Sequence, residues 1–245
     1  MNLDVFEKQH TGIKFKLSAV DKPYVCQYCK SAYVKESTLA VHMCEQKRRN
    51  MAKSEKHVQL GYQTYIRFFQ LSQKVKNTKT YEEFAKSQYY NAFVKFGSFL
   101  HNVNPLYLDR YIDFVVTSGI KLDHWCREDL YYQYVLDLIK KEPAEVALQR
   151  TIATMMDWAD ANDSQWNHYF KYVSLNRVVY DIKDGKISPW LVLNSNSGRT
   201  MLSKLNDEQL NIIFEVMNPD FWAKRFRTYP ADLTLVKQVI EEGNL

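Results

Sequence analysis

The stretch YVCQYCKSAYVKESTLAVHMC, residues 24–44, decides the fold of the N-terminal part of this chain. It opens with Cys26 and Cys29 in C-x2-C spacing, which suits a tight turn that points two thiolates at one ion. His42 follows Cys29 after twelve intervening residues, and Cys44 lies two positions further on. Thiolates and an imidazole are the donors that zinc takes in structural sites. The stretch therefore predicts a site for one Zn²⁺ ion, with these four side chains as its ligands.

The same stretch resembles the two-Cys two-His zinc finger family. Tyr33 and Leu39 stand at the aromatic and leucine positions of that family's pattern. The resemblance implies a small ββα fold around the ion, in which three helix positions face the bases of a duplex. Counted from Leu39, those positions are occupied by Lys35, Thr38 and Val41. Lys35 could donate to guanine and Val41 could contact a thymine methyl group.

The stretch departs from that family at the fourth ligand. Residues 46–48, QKR, occupy the positions where the family places its second histidine. Cys44 is the nearest substitute, but side chains two positions apart do not share a face of a regular helix. The helix is therefore predicted to loosen or end near Met43, with His57 as the alternative fourth ligand.

Cysteine usage favours a metal site over disulfides. Three of the four cysteines fall within the stretch, and the fourth, Cys126, has no neighbouring partner in the sequence. A redox role for the C-x2-C pair is the competing interpretation, but no βαβ pattern surrounds it. Residues 1–22 hold no apolar signal-peptide core, and no run of about 18 apolar residues predicts a membrane span. We therefore expect a cytoplasmic protein in a reducing compartment, without membrane contact.

The positive charge is concentrated near the N-terminus. The chain has a formal net charge of +5, and residues 1–58 hold eleven Lys and Arg against six Asp and Glu. The other 187 residues hold 22 of each, so the whole excess lies in and around the predicted metal site. Basic residues follow the last ligand at Lys47, Arg48, Arg49, Lys53 and Lys56. Beside a zinc site this run predicts contacts with nucleic-acid phosphates, and an ordinary solvated helix face is the alternative.

These features together predict a zinc-dependent nucleic-acid-binding protein without catalysis, with DNA rather than RNA as its partner. One finger covers only about three base pairs, so phosphate contacts are expected to outweigh sequence readout. An adaptor that docks on a polymerase or a host factor through the finger is the alternative. A nuclease is a third hypothesis, which depends on Asp157 and Asp160 sharing a helix face.

The rest of the chain predicts an all-α domain, so the fold class is mainly α with a small ββα finger in front. Apolar residues recur at helical spacing at Val58, Tyr62, Tyr65 and Phe69. Thr80 and Glu83 form a predicted capping box, and Asn104-Pro105 predicts a helix start. The crowded Tyr and Phe residues are interpreted as helical core rather than as base-stacking surface. The predicted organisation is an N-terminal arm (1–22), the zinc finger (23–50), a basic linker or helix start (51–58) and a helical domain (59–245).

A wider resemblance covers nearly the whole chain. It is carried by KRR, YYNAFVKFG, LDHWC, ISPW and YPAD, at residues 47–49, 89–97, 122–126, 187–190 and 229–232. These segments are similar to finger-bearing proteins of large tailed bacteriophages (myoviruses). The resemblance implies a phage protein that works in the host bacterial cytoplasm, in DNA metabolism or transcription, and it implies no particular enzymatic activity.

Overall fold

The structure, a computed structural model, describes residues 22–73 and 78–245 of the chain. The predicted N-terminal arm, residues 1–22, lies outside the described residues except for Lys22. No helix in the described ranges is both long enough and apolar enough to cross a membrane.

A two-stranded antiparallel sheet and a short helix form the N-terminal module, residues 24–44. Strands β1 (Tyr24–Val25) and β2 (Ala32–Tyr33) pair so that Tyr24 lies opposite Tyr33. The helix α1 (Glu36–Val41) follows. The predicted ββα order is therefore present, although the helix stops one residue before the predicted histidine ligand.

Helices dominate the described residues, which confirms the mainly α prediction. They are α2 (Glu45–Met51), α3 (Lys56–Gln73), α4 (Tyr81–Lys86), α5 (Tyr90–Val103), α6 (Leu108–Thr117), α7 (Glu128–Lys141), α8 (Ala144–Ala161), α9 (Tyr169–Tyr172), α10 (Leu175–Lys183), α11 (Pro189–Val192), α12 (Asn196–Leu202), α13 (Asp207–Ile213), α14 (Pro219–Thr228) and α15 (Pro230–Gly243). Short 3-10 turns occur at Ala52–Ser54, Leu122–His124 and Trp166–His168. We call α3 to α15 the helical domain.

One predicted helix start is correct and another is wrong. The capping box forms as expected, because the Thr80 amide donates to Glu83 Oε2 at 2.8 Å and the Glu83 amide donates to Thr80 Oγ1 at 3.3 Å. Asn104, by contrast, ends α5 in the left-handed conformation with φ 47°, and α6 begins only at Leu108. Asparagine tolerates the left-handed conformation and so can terminate a helix. Asn104 therefore ends α5 here, although the proline that follows it had predicted a helix start.

Aromatic rings fill the core of the first half of the helical domain, as interpreted from the sequence. The helices α3 and α5 approach closely because Gly61 and Gly97 lie where they cross. A Cβ atom on Gly97 would lie 2.0 Å from the His57 carbonyl oxygen and 2.6 Å from the Gly61 nitrogen. Around this crossing are the buried rings of Tyr65, Tyr81, Phe84, Tyr90, Phe93, Phe96, Tyr111 and Trp125.

Candidate metal centre

The four predicted ligands converge in the N-terminal module. Their donor atoms all lie within 4.8 Å of one another. Cys26 Sγ is 4.0 Å from Cys44 Sγ, and Cys29 Sγ is 3.3 Å from His42 Nε2. Tetrahedral zinc, with Zn–S bonds of about 2.3 Å and Zn–N bonds of about 2.0 Å, would separate two sulfurs by about 3.8 Å and a sulfur from a nitrogen by about 3.5 Å. These two distances are close to those values, so the cluster could hold one tetrahedrally bound metal ion.

A tight turn after β1 presents the first two thiols. The Cys26 amide donates to the Ser31 carbonyl at 2.9 Å, and the Lys30 amide donates to the Cys26 carbonyl at 2.9 Å. Lys30 takes the left-handed backbone conformation, with φ 64°, so the chain reverses between Cys26 and β2. The Cys26 side chain is buried in this turn, whereas Cys29 is only half-buried.

The backbone conformation around Met43 allows His42 and Cys44 to reach the same cluster, although they are only two positions apart in the sequence. Helix α1 ends at Val41, and His42 is extended, with φ −66° and ψ 123°. Cys44 is also extended and begins the next helix, α2. Because neither ligand is inside a helix, both side chains reach the same point. The prediction that the helix ends near Met43 is confirmed, and His57 lies on α3 outside the cluster.

The thiols experience different electrostatic surroundings. The pKa of Cys29 is lowered to about 6, first by the Ser31 hydroxyl at 3.3 Å, then by the Ser31 backbone and by His42. Desolvation raises the pKa of Cys44, although its sulfur also accepts a hydrogen bond from the Lys47 amide at 3.4 Å. Metals bind thiolates rather than thiols. The Cys29 thiol therefore ionises more easily than the Cys44 thiol in this geometry.

The predicted base-facing residues lie on the exposed surface of α1 and at its N-cap, Lys35. Lys35, Thr38 and Val41 are all exposed, and Val41 keeps 80% of its surface accessible. None of the three contributes to the core of the helical domain. The positions inferred from the family resemblance are therefore accessible to a partner.

The residues of the predicted basic run differ in how exposed they are. Arg48, Lys53 and Lys56 are exposed and form no ion pair with a carboxylate within residues 22–73 and 78–245. Lys47 is half-buried, and its ammonium donates to the His42 carbonyl at 3.2 Å. Lys47 therefore belongs to the immediate surroundings of the metal site as well as to the basic run.

Arg49 faces the interior rather than solvent. Its guanidinium donates to the Ala85 and Ser87 carbonyls at 2.7 and 3.2 Å, lies 4.4 Å above the Tyr90 ring, and pairs with Glu45. Only 11% of its side chain is accessible. The sequence pattern of basic residues did not predict these hydrogen bonds, because the acceptor carbonyls lie more than thirty positions away in the chain.

The carboxylates considered for a nuclease do not form a comparable site. Asp157 and Asp160 are exposed on α8. Among the described residues, the cluster of side chains that could hold a metal ion is the Cys–His group of the N-terminal module.

No protein-family model, no curated protein and no solved structure matches this chain. The likeness to two-Cys two-His fingers therefore depends on the residues and geometry of the N-terminal module. The resemblance to tailed-phage proteins expected from the sequence segments is not supported by any of these comparisons.

Proposed function

We propose that this protein binds one Zn²⁺ ion at the Cys–His cluster and uses the metal-folded module to contact nucleic acid, without catalysing a reaction. The observation that carries the proposal is the convergence of three thiols and one imidazole on a module whose outer helix face is exposed. Soft sulfur donors with one imidazole in a tetrahedral arrangement favour zinc over magnesium or calcium. Duplex DNA is the partner we place first, and RNA second.

Two sets of exposed side chains support nucleic acid as the partner. Thr38 and Val41 on α1, and Lys35 at its N-cap, are exposed where zinc fingers contact a duplex groove. Arg48 and Lys56 lie further along the chain, and their charges are not neutralised by carboxylates in the described part of the chain. Unpaired surface cations release counterions when they meet phosphates, which drives association.

The chemistry of α1 favours phosphate contact over sequence readout. The three predicted base-facing positions hold no Arg, Asn or Gln, so the bidentate pairing that discriminates bases is missing there. We therefore propose binding with weak sequence preference. The resemblance to tailed-phage proteins suggests bacteriophage DNA metabolism or transcription, in the host cytoplasm, as the setting.

The test is a titration of labelled duplex and single-stranded DNA and RNA with the zinc-loaded full chain, at several salt concentrations. Replacing Arg48, Lys53 and Lys56 together by Gln should weaken binding and flatten the salt dependence by about one unit of slope per lost phosphate contact. Lys47 and Arg49 are left intact because they make internal contacts.

The matched control removes the same charge from the helical domain. Lys204, Lys224 and Lys237 are exposed there, and their combined replacement by Gln should leave the salt slope unchanged. The proposal is wrong if the wild-type chain binds no nucleic acid at low salt, or if the control variant loses as much affinity as the test variant.

A second candidate function is an adaptor for a protein partner. Five apolar side chains are about half exposed or more on and beside the N-terminal module: Val25 (50%), Val34 (48%), Val41 (80%), Met43 (48%) and Met51 (63%). Where such exposed apolar residues adjoin one another, they often mark protein interfaces. A partner that is retained by the Gln triple variant but lost after zinc chelation would favour this function over nucleic-acid binding.

A further inference from the structure

Tyr33 contacts His42 at the ring nitrogen that does not face the sulfur ligands. The Tyr33 hydroxyl oxygen lies 2.8 Å from His42 Nδ1, whereas Nε2 lies 3.3 Å from Cys29 Sγ. The two ring centroids are 4.9 Å apart, with 45° between the ring planes. One nitrogen of the imidazole is therefore directed at the cluster and the other at a hydroxyl group.

The hydrogen bond has a definite direction once a metal occupies Nε2. A neutral imidazole carries one proton, and metal bonding at Nε2 requires that this proton reside on Nδ1. The Nδ1–H group then donates to the Tyr33 oxygen. Metal-bound histidines almost always donate their second N–H to an acceptor, which sets the tautomer and the ring orientation.

His42 depends on such a contact because no helix holds it. It follows the last residue of α1 in an extended conformation, where its ring could rotate away from the cluster. The Lys47 ammonium holds the His42 carbonyl at 3.2 Å, but this contact leaves the ring free. The strand pairing of Tyr24 with Tyr33 fixes β2, which carries the Tyr33 hydroxyl.

We propose that Tyr33 is a positioning residue of the metal site, whose hydroxyl accepts the Nδ1 proton of His42 and so presents Nε2 to the ion. This role rests on the proposed zinc site. It explains how a His-x-Cys pair serves as two ligands where the family pattern has two histidines on one helix. Tyr33 thus contributes a polar contact in addition to its ring.

The first test compares Tyr33→Phe with the matched control Tyr24→Phe in the full chain. Each variant keeps its aromatic ring, and the Tyr24 hydroxyl makes no side-chain hydrogen bond within the described residues. Co²⁺ and Zn²⁺ affinities are measured by competition with a chelator, and the visible absorption of bound Co²⁺ reports the ligand geometry. Tyr33→Phe should bind about 10- to 100-fold more weakly, and Tyr24→Phe should bind as the wild type does.

The second test needs no variant. Nitrogen NMR of the zinc-loaded wild-type chain should show His42 bound through Nε2, with a protonated Nδ1 close to Tyr33. Metal bonding through Nδ1, or unchanged affinity in Tyr33→Phe, would overturn the role of Tyr33 while leaving the zinc site intact. If the wild-type chain takes up neither ion, the zinc site itself is wrong and this inference fails with it.

Discussion

Arg49 donates a hydrogen bond to the Ala85 carbonyl at 2.7 Å, and this contact joins the last turn of α2 to the end of α4. The Tyr81 hydroxyl reinforces the junction by donating to the Arg49 carbonyl at 2.5 Å. The opposite end of α2 begins at Cys44, one of the candidate metal ligands. One short helix therefore joins the candidate metal cluster at its first turn to the helical domain at its last turn.

Replacing Arg49 by Ala should destabilise the protein by about 2 kcal/mol, because two carbonyls would lose a charged donor in a largely buried place. The measurement is urea unfolding followed by circular dichroism. Arg48→Ala is the control, since Arg48 is exposed one position earlier and should change stability by no more than about 0.5 kcal/mol. Equal effects of the two substitutions would show that Arg49 does not hold the junction.

Replacing Gly97 by Ala should destabilise the helical domain by about 3 kcal/mol, the upper part of the usual range for overpacking. The new Cβ atom would meet backbone atoms of His57 and Gly61, which cannot rotate away as a flexible side chain can. Asn91→Ala, on an exposed face of the same helix, is the control. Thermal unfolding of both variants checks the prediction, and a Gly97→Ala midpoint equal to that of the wild type would contradict it.

Removing the metal should unfold the N-terminal module and leave most of the helical signal in place. So small a module has little apolar core, and its folding free energy comes from the metal. Cys29→Ser should lose the bound ion, whereas Cys126→Ser should keep one ion, because Cys126 lies outside the cluster. Metal analysis and circular dichroism give both readouts. Loss of nearly all helix on chelation would mean that the helical domain depends on the module.

Acid should weaken the start of α4. Hydrogen bonds from the Thr80 amide and from Lys79 lower the pKa of Glu83 to about 2 in the folded protein. The unfolded-state pKa is about 4.3, so the stabilisation is complete above that pH and is lost as the pH falls towards 2. Glu83→Gln keeps an amide at the capping position but cannot titrate.

The measurement for Glu83 is the difference in unfolding free energy between wild type and Glu83→Gln at several pH values. That difference should shrink between about pH 5 and about pH 2.5. Glu82→Gln, an exposed neighbour in the same first turn, serves as the control. A difference for Glu83→Gln that stays constant over this range would show that the Glu83 carboxylate does not stabilise the folded state.

Local patterns predicted much of the architecture and of the site. The spacing of Cys26, Cys29 and His42 predicted the group of side chains that could hold a metal ion, and Thr80 with Glu83 predicted the start of α4. Such features depend on residues close together in the chain, so a sequence pattern records them. The error at Asn104 arose because the same residue type caps either end of a helix, and the choice depends on what precedes it.

The sequence by itself determined the mainly α class, the group of Cys and His side chains that could hold a metal ion and the need for α1 to end before Cys44, because each follows from residue type and short-range spacing. Only the tertiary structure decided that Arg49 holds a junction, that Tyr33 contacts the His42 ring, and that Gly61 and Gly97 let two helices touch. The Arg49 contact and the glycine contact join residues far apart in the chain, and the Tyr33–His42 contact depends on how β2 is placed against the end of α1. Which distant partners meet depends on how the whole core packs, and no local pattern of residues carries that information.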